Sequence, residues 1–168
     1  MDWQQIVTGS YGSITRILER ALADVSTEDL NWQPSPESNS MGWMIWHLTR
    51  YQDRTFTELF GGEQLWVKDG WYEKFNRPAD PDDTGLGHTA EQVQAFRSPD
   101  VDTLMGYQKA VMERIQDIMK DLSETDLNRK LDNERAPNVG ARLIGVLGDG
   151  MQHAGQVAYL KGLKEALG

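Results

Sequence analysis

An all-α fold is predicted by three features of the sequence. Apolar residues recur at intervals of three and four along four long segments, the spacing that gives a helix one buried face. All six prolines lie between those segments and none lies inside them. No segment alternates apolar and polar residues as a half-buried strand would. We therefore expect the 168 residues to form a single helical domain, 1–168.

The periodicity predicts long helices at 2–24, about 41–60, about 100–122 and about 139–166. The second of them is expected to stop at Gly61 and Gly62. Glycines and prolines make 63–99 the least regular part of the chain. One short helix is predicted there, at 89–97, because Thr89 and Gln92 have the spacing of a capping box.

Two segments of the chain resemble each other, DVSTEDLN at 24–31 and DLSETDLN at 121–128. Each is expected to close a long helix and to precede an irregular stretch and a helix that carries a histidine. One interpretation is that both use a common capping sequence independently. The other is duplication of a helix pair, which would relate the halves by a pseudo-twofold axis and bring His47 and His153 to one cleft.

Composition excludes several classes of function. The net charge is −9 and basic residues form no cluster, which argues against nucleic acid as a partner. The first residues lack the features of a signal peptide and no apolar run reaches membrane-spanning length, so we expect a cytoplasmic protein without membrane contact. The chain has no cysteine, so any thiol chemistry must use a thiol brought by a substrate.

His47, Asp149 and His153 are the candidate metal ligands. His47 lies in the apolar segment 41–48, and Asp149 and His153 are one helical turn apart on the last helix. Two imidazoles and a carboxylate from two helices can hold a divalent ion and leave coordination positions open. The alternative is a buried Asp149–His153 hydrogen bond that only fixes helix packing, without a metal. The residues alone leave both interpretations open.

Three segments, 41–50, 87–93 and 152–163, together resemble the DinB superfamily. The most specific of them contains His153, Gly155 and Gln156, followed by Tyr-Leu-x-Gly-Leu. The resemblance extends over essentially the whole chain, and the family includes YfiT-like metalloenzymes and bacterial low-molecular-weight thiol transferases. It implies a four-helix bundle of DinB/YfiT-like topology and, because members are often dimeric, a homodimer.

The resemblance also implies a divalent metal, usually nickel or zinc, held by three histidines. His47 and His153 match the first and last of them, whereas Asp149 stands where the middle histidine is expected. Because a carboxylate prefers harder ions, other divalent metals are also to be considered. The implied activity is transfer of a low-molecular-weight thiol to an electrophilic small molecule, or a hydrolase-like reaction. The alternative is a non-catalytic small-ligand-binding or dimeric interaction protein with a structural Asp–His pair.

Four further residues are candidates for substrate contact: His88, Arg50, Gln156 and Trp46. His88 lies in a glycine-containing loop that either folds over the cleft or remains a surface loop. Arg50 either binds a substrate carboxylate or pairs with Asp53 on the helix surface. Gln156 lies beside His153, and Trp46 is one of six tryptophans that suggest an aromatic-lined concave surface.

Overall fold

The described part of the chain, residues 2–167 of a computed structural model, contains helices joined by loops and no β-strand. The all-α prediction is therefore confirmed; within those residues the only β-type pairing is an isolated bridge between Lys130 and Asn138. Four long and five short helices are present: α1 (Trp3–Ala21), α2 (Thr27–Asn31), α3 (Met41–Phe60), α4 (Leu65–Lys68), α5 (Trp71–Lys74), α6 (Ala90–Ala95), α7 (Val101–Asp121), α8 (Glu124–Asn128) and α9 (Val139–Leu167).

The sequence predicted that the segments 24–31 and 121–128 close long helices. In the structure α1 ends earlier, at Ala21, and α7 ends at Asp121, the first residue of its segment; the rest of each segment starts a short helix, α2 or α8. In α2 the Ser26 hydroxyl accepts a hydrogen bond from the Asp29 N–H, and the Asp29 carboxylate accepts one from the Ser26 N–H. Ser123 and Asp126 form the same pair of bonds at the start of α8. A capping box satisfies donors at a helix N-terminus, so it starts a new helix. The capping box predicted at Thr89 and Gln92 is present and starts α6.

The two halves of the bundle have the same order of elements. α1, α2 and α3 follow one another as long, short and long helices, and α7, α8 and α9 repeat the pattern. α2 packs on α3 and α8 packs on α9, while α1 packs on α9 and α3 packs on α7. Exchanging the halves leaves this set of contacts unchanged, which favours the helix-pair duplication over independent use of a capping sequence.

The first half of α3 is buried on all sides. Every residue from Met41 to Arg50 is buried, including the polar side chains of His47 and Arg50. α3 packs against α7 and α9, and Leu30 of α2 lies beside Gly42 at the start of α3. This enclosure places His47 against α9, the helix that carries the other two candidate ligands. No helix in residues 2–167 is long and apolar enough to cross a membrane.

Two glycines in α9, Gly145 and Gly150, differ in the space around them. The difference predicts opposite effects of an alanine substitution on the free energy of unfolding. A Cβ at Gly145 would meet nothing within 4 Å, whereas at Gly150 it would lie 2.7 Å from Ile14 Cδ1 and 2.8 Å from Gln52 Nε2. We expect Gly145→Ala to stabilise the fold by about 0.5–1 kcal/mol, because alanine favours a helix interior. Gly150→Ala should destabilise it through the clash with α1 and α3.

Urea unfolding of the two variants and the wild type provides the measurement. The same substitution in the same helix should change the free energy of unfolding in opposite directions. Equal shifts for Gly145→Ala and Gly150→Ala would contradict the packing of α9 described above.

Candidate metal centre

His47 presents one ring nitrogen towards α9. Its Nδ1 atom lies 2.5 Å from the Thr84 carbonyl oxygen, which only accepts hydrogen bonds, so Nδ1 carries the proton and Nε2 keeps a free lone pair. The imidazole is stacked between two rings of α3: Trp43 at 4.9 Å and 11°, and Tyr51 at 6.4 Å and 3°. The hydrogen bond and the two rings fix the orientation of the imidazole.

Asp149 and His153 project from consecutive turns of α9 towards His47. The His153 ring lies 5.0 Å from the His47 ring, at 89° to it. His153 Nδ1 is 2.7 Å from Gln156 Oε1, so donation to that oxygen leaves Nε2 of His153 free. Gln156 thus contacts a candidate ligand and orients it.

The donor set fits a divalent ion. His47, Asp149 and His153 each offer one ligand atom, and these atoms lie within 4.8 Å of one another. Small side-chain rotations would bring them to the ~2.0–2.2 Å bonds that zinc forms with nitrogen and carboxylate oxygen. Asp149 Oδ2 is buried and has no hydrogen-bond partner among the described residues, as expected of an oxygen that coordinates a cation.

The alternative of a structural Asp–His hydrogen bond has less support. His153 Nε2 and Asp149 Oδ1 are 3.6 Å apart, beyond the range of a hydrogen bond. The buried oxygen of Asp149 would remain unsatisfied in that arrangement. The geometry therefore favours an ion between the three side chains over direct pairing of two of them.

Burial lowers the pKa of His47 below its ordinary value of 6.5, and the nearby His153 lowers it further. The hydrogen bond to Thr84 acts in the opposite direction but has a smaller effect. At neutral pH the imidazole is therefore uncharged, which is the form that binds a metal.

The same pKa shift predicts a pH dependence of stability for the metal-free protein. As the pH falls below about 6.5, unfolded chains bind a proton at His47 that folded chains do not, so the free energy of unfolding decreases until the lower folded pKa is reached. Urea unfolding between pH 7.5 and 5.5, with chelator present, measures this slope. His47→Gln should reduce the slope; an unchanged slope would show that other groups cause it.

His88 lies behind the stacked rings and not over the candidate ligands. Its Nδ1 accepts a hydrogen bond from Trp43 Nε1 at 3.3 Å, and its Nε2 donates to Asp83 Oδ1 at 3.0 Å. The ring also stacks on Trp46, at 5.9 Å and 24°. Both nitrogens are therefore engaged, and His88 holds Trp43 against His47. Trp46 is fully buried, so the predicted contact with substrate is not available to it in this structure.

Arg50 is also fully buried, and the surface ion pair with Asp53 suggested by their spacing is instead part of the core. The guanidinium carbon lies 4.7 Å from the Trp66 ring centroid. A guanidinium has five N–H groups, and Arg50 donates all five in hydrogen bonds to other parts of the chain. Its acceptors are Asp83 O, Gln64 Oε1, Tyr107 OH, Asp80 O and Pro81 O. Arg50 thus holds the turn 80–83 and has no donor left for a substrate.

Sequence reasoning missed three participants in the site. Trp43 and Tyr51 flank His47 at i−4 and i+4, a spacing on one helix face that could have revealed them. No sequence pattern could have revealed that the Thr84 carbonyl bonds to His47, because every residue has a backbone oxygen. Its position depends on the turn 80–85, which distant residues hold in place.

The sequence of the chain identifies its family. The model of the DinB superfamily matches residues 13–157, a range that contains α3, the turn around Thr84 and all three candidate ligands. The chain belongs to the DinB superfamily. Membership of this superfamily supports the assignment of the triad as a divalent metal site.

A solved structure shares this DinB-superfamily fold. The crystal structure titled as the conserved protein of locus from Enterococcus faecalis superposes with a TM-score of 0.87, at 25% sequence identity, over 96% of each chain. No curated protein matches the sequence. The name of this neighbour of the DinB-superfamily protein states no activity.

Proposed function

We propose that this protein is a divalent-metal enzyme that transfers a low-molecular-weight thiol to an electrophilic small molecule. The observation that carries the proposal is the convergence of three donors with free ligand atoms from α3 and α9. His47 forms the buried inner wall, whereas the Asp149 and His153 side chains are 30% and 16% exposed. Such a site has room for a further ligand on its solvent side, as catalytic metal sites do.

The proposed reaction needs a sulfur nucleophile that the chain itself lacks. A bound divalent ion lowers the pKa of a coordinated thiol and so supplies thiolate at neutral pH. In the transfer, the sulfur of the co-substrate forms the new S–C bond, its proton goes to water, and the leaving group departs with the bonding electron pair. His47, Asp149 and His153 position the reactants, and the Trp43 and Tyr51 rings on either side of His47 exclude water from the inner wall.

The absence of cysteine permits a direct test of thiol binding. We would load the protein with Co²⁺ and titrate it with 2-mercaptoethanol, following the thiolate-to-cobalt charge-transfer band in the near ultraviolet. Because the chain contains no cysteine, such a band can come only from the added thiol. Ethylene glycol should give no band, and His153→Ala should give none with either compound.

A second measurement separates the enzyme from a binding protein. We expect the metal-loaded protein to consume thiol in the presence of an electrophile such as monochlorobimane, and the metal-free protein not to. No charge-transfer band with any thiol would contradict the proposal. A band without turnover would support the alternative of a non-catalytic ligand-binding protein.

We also propose a homodimer that uses the face of α9 opposite the metal ligands. Apolar side chains and glycines share this face, and solvent surrounds them in the single chain: Ile144, Met151 and Tyr159, with Gly148, Gly155 and Gly162 between them. Large exposed apolar surface is uncommon on a monomer, and glycines allow two helices to approach closely. Light scattering should give twice the mass of the chain. Met151→Glu should halve it, and a monomeric wild type would exclude the dimer.

A further inference from the structure

Arg142 is a partly exposed cation on the same side of α9 as the candidate ligands. It precedes Asp149 by two helical turns, and its side chain is 26% exposed. The guanidinium donates from Nη1 to the Tyr51 hydroxyl at 2.8 Å and from Nη2 to Thr55 Oγ1 at 3.3 Å. Of its five N–H groups, three remain for a ligand.

The charge of Arg142 is only loosely compensated. Its carboxylate partner, Glu58, lies 3.8 Å from Nη2, too far for a hydrogen bond. Glu58 is already engaged by Arg54, whose Nε atom is 2.6 Å from the carboxylate. Arg142 differs in this respect from Arg50, which is saturated by acceptors in the core.

Tyr51 connects Arg142 to the candidate metal site. The Tyr51 ring lies parallel to the His47 ring at 6.4 Å, and the Arg142 guanidinium carbon lies 5.2 Å from the centroid of the same ring. The Tyr51 hydroxyl accepts a hydrogen bond from Arg142, so its own proton is free to be donated. A small molecule that reaches from the triad along the Tyr51 ring would therefore meet two adjacent hydrogen-bond donors.

The geometry points to Arg142 and Tyr51 as a binding subsite for a carboxylate of the substrate. This inference rests on the proposed function and makes it more specific, because the thiol or the electrophile that the enzyme accepts is then an anionic small molecule. Arg142 binds the carboxylate by charge-assisted hydrogen bonds, and the Tyr51 hydroxyl adds a neutral one. The subsite determines specificity and orientation, while the reacting atoms stay at the triad.

The test compares two thiols of equal length on the Co²⁺-loaded protein. The charge-transfer band reports the affinity of 6-mercaptohexanoate and of 6-mercapto-1-hexanol, which differ only in the terminal group. We expect the acid to bind about 10- to 100-fold more tightly, the range given by hydrogen bonds to a charged group. Arg142→Gln should remove this preference, and Arg142→Lys should retain part of it. Tyr51→Phe should reduce it by less than Arg142→Gln does.

Lys161→Gln is the matched control, because it removes one positive charge from α9, and Lys161 is as exposed as Arg142 and pairs with Glu165 at 3.0 Å. It should leave the preference unchanged. Equal affinities of the wild type for both thiols would overturn the inference. So would a preference that persists in Arg142→Gln, which would then reflect binding of the carboxylate by the metal itself.

A failure of the proposed thiol chemistry can be distinguished from a failure of the subsite. If neither thiol produces a band, thiol binding is contradicted, and calorimetric titration with adipate tests the subsite without a thiol. Adipate offers one carboxylate to the triad and a second one to Arg142. Weaker adipate binding by Arg142→Gln than by Lys161→Gln would support the subsite, and identical binding would overturn it.

Discussion

His153→Ala is expected to abolish specific uptake of Zn²⁺ or Ni²⁺. The substitution removes one of the three candidate ligands found among residues 2–167, so the affinity should fall by more than ~100-fold, beyond the ~10–100-fold typical when a residue that merely orients a ligand is lost. The measurement is the metal content of protein dialysed against each ion, with affinities obtained by competition against a chelator. Wild-type protein should bind one ion per chain, and the bound ion should raise its melting temperature.

Two neighbours of His153 serve as controls. Gln152 is exposed and is not one of the three candidate ligands, so Gln152→Ala should bind metal like the wild type. Gln156 accepts the hydrogen bond from His153 Nδ1, so Gln156→Ala should weaken binding by only about 10–100-fold. If His153→Ala still took up one ion per chain with wild-type affinity, this ligand set would be wrong.

Asp53→Ala is expected to destabilise the protein by about 3–5 kcal/mol, the range for breaking a buried ion pair from one side. The Asp53 side chain is fully buried beside two arginines, Arg50 at 3.8 Å and Arg114 at 3.3 Å. Its two oxygens also accept hydrogen bonds from the N–H groups of Leu65 and Trp66 and from the Tyr107 hydroxyl. Removing the carboxylate leaves a buried cation and several donors without partners.

The free energy of unfolding in urea measures this effect. Asp117→Ala is the control, since Asp117 is an exposed carboxylate paired with Lys120 at 2.7 Å and its loss should change stability by no more than about 0.5 kcal/mol. If Asp53→Ala does not fold, Asp53→Asn keeps the shape and part of the hydrogen bonding and should still lose stability. A cost for Asp53→Ala as small as that for Asp117→Ala would contradict the buried network.

Local sequence predicted the long helices because their signals lie within them. The spacing of apolar residues and the caps at Ser40 and Asp100 define α3 and α7 without help from distant residues. α4 shows the opposite case. Its N-terminus is capped by Asp53 from α3, twelve residues before Leu65, so no local pattern revealed it. The segments with Ser26 and Ser123 were misjudged for another reason: their capping boxes are local signals, but they were interpreted as helix ends, whereas they start α2 and α8.

The candidate ligands were predictable because their chemistry is rare in this chain. Three histidines, one of them at i+4 from an aspartate, leave few combinations that could hold an ion. The roles of Arg50, Trp46 and His88 were not predictable in this way. Burial and hydrogen bonding decide whether such a side chain faces a cleft, and both depend on the turn 80–88 that packs against α3.

The sequence by itself determined the helical class, the long helices and the three donors His47, Asp149 and His153, because each depends on residue type and local spacing. Only the tertiary structure decided which side chains are available to a ligand. It buries Arg50 under the turn 80–83 and leaves Arg142 with unused donors beside Tyr51. The physical reason is that hydrogen bonds between residues far apart in the chain consume some polar groups and spare others.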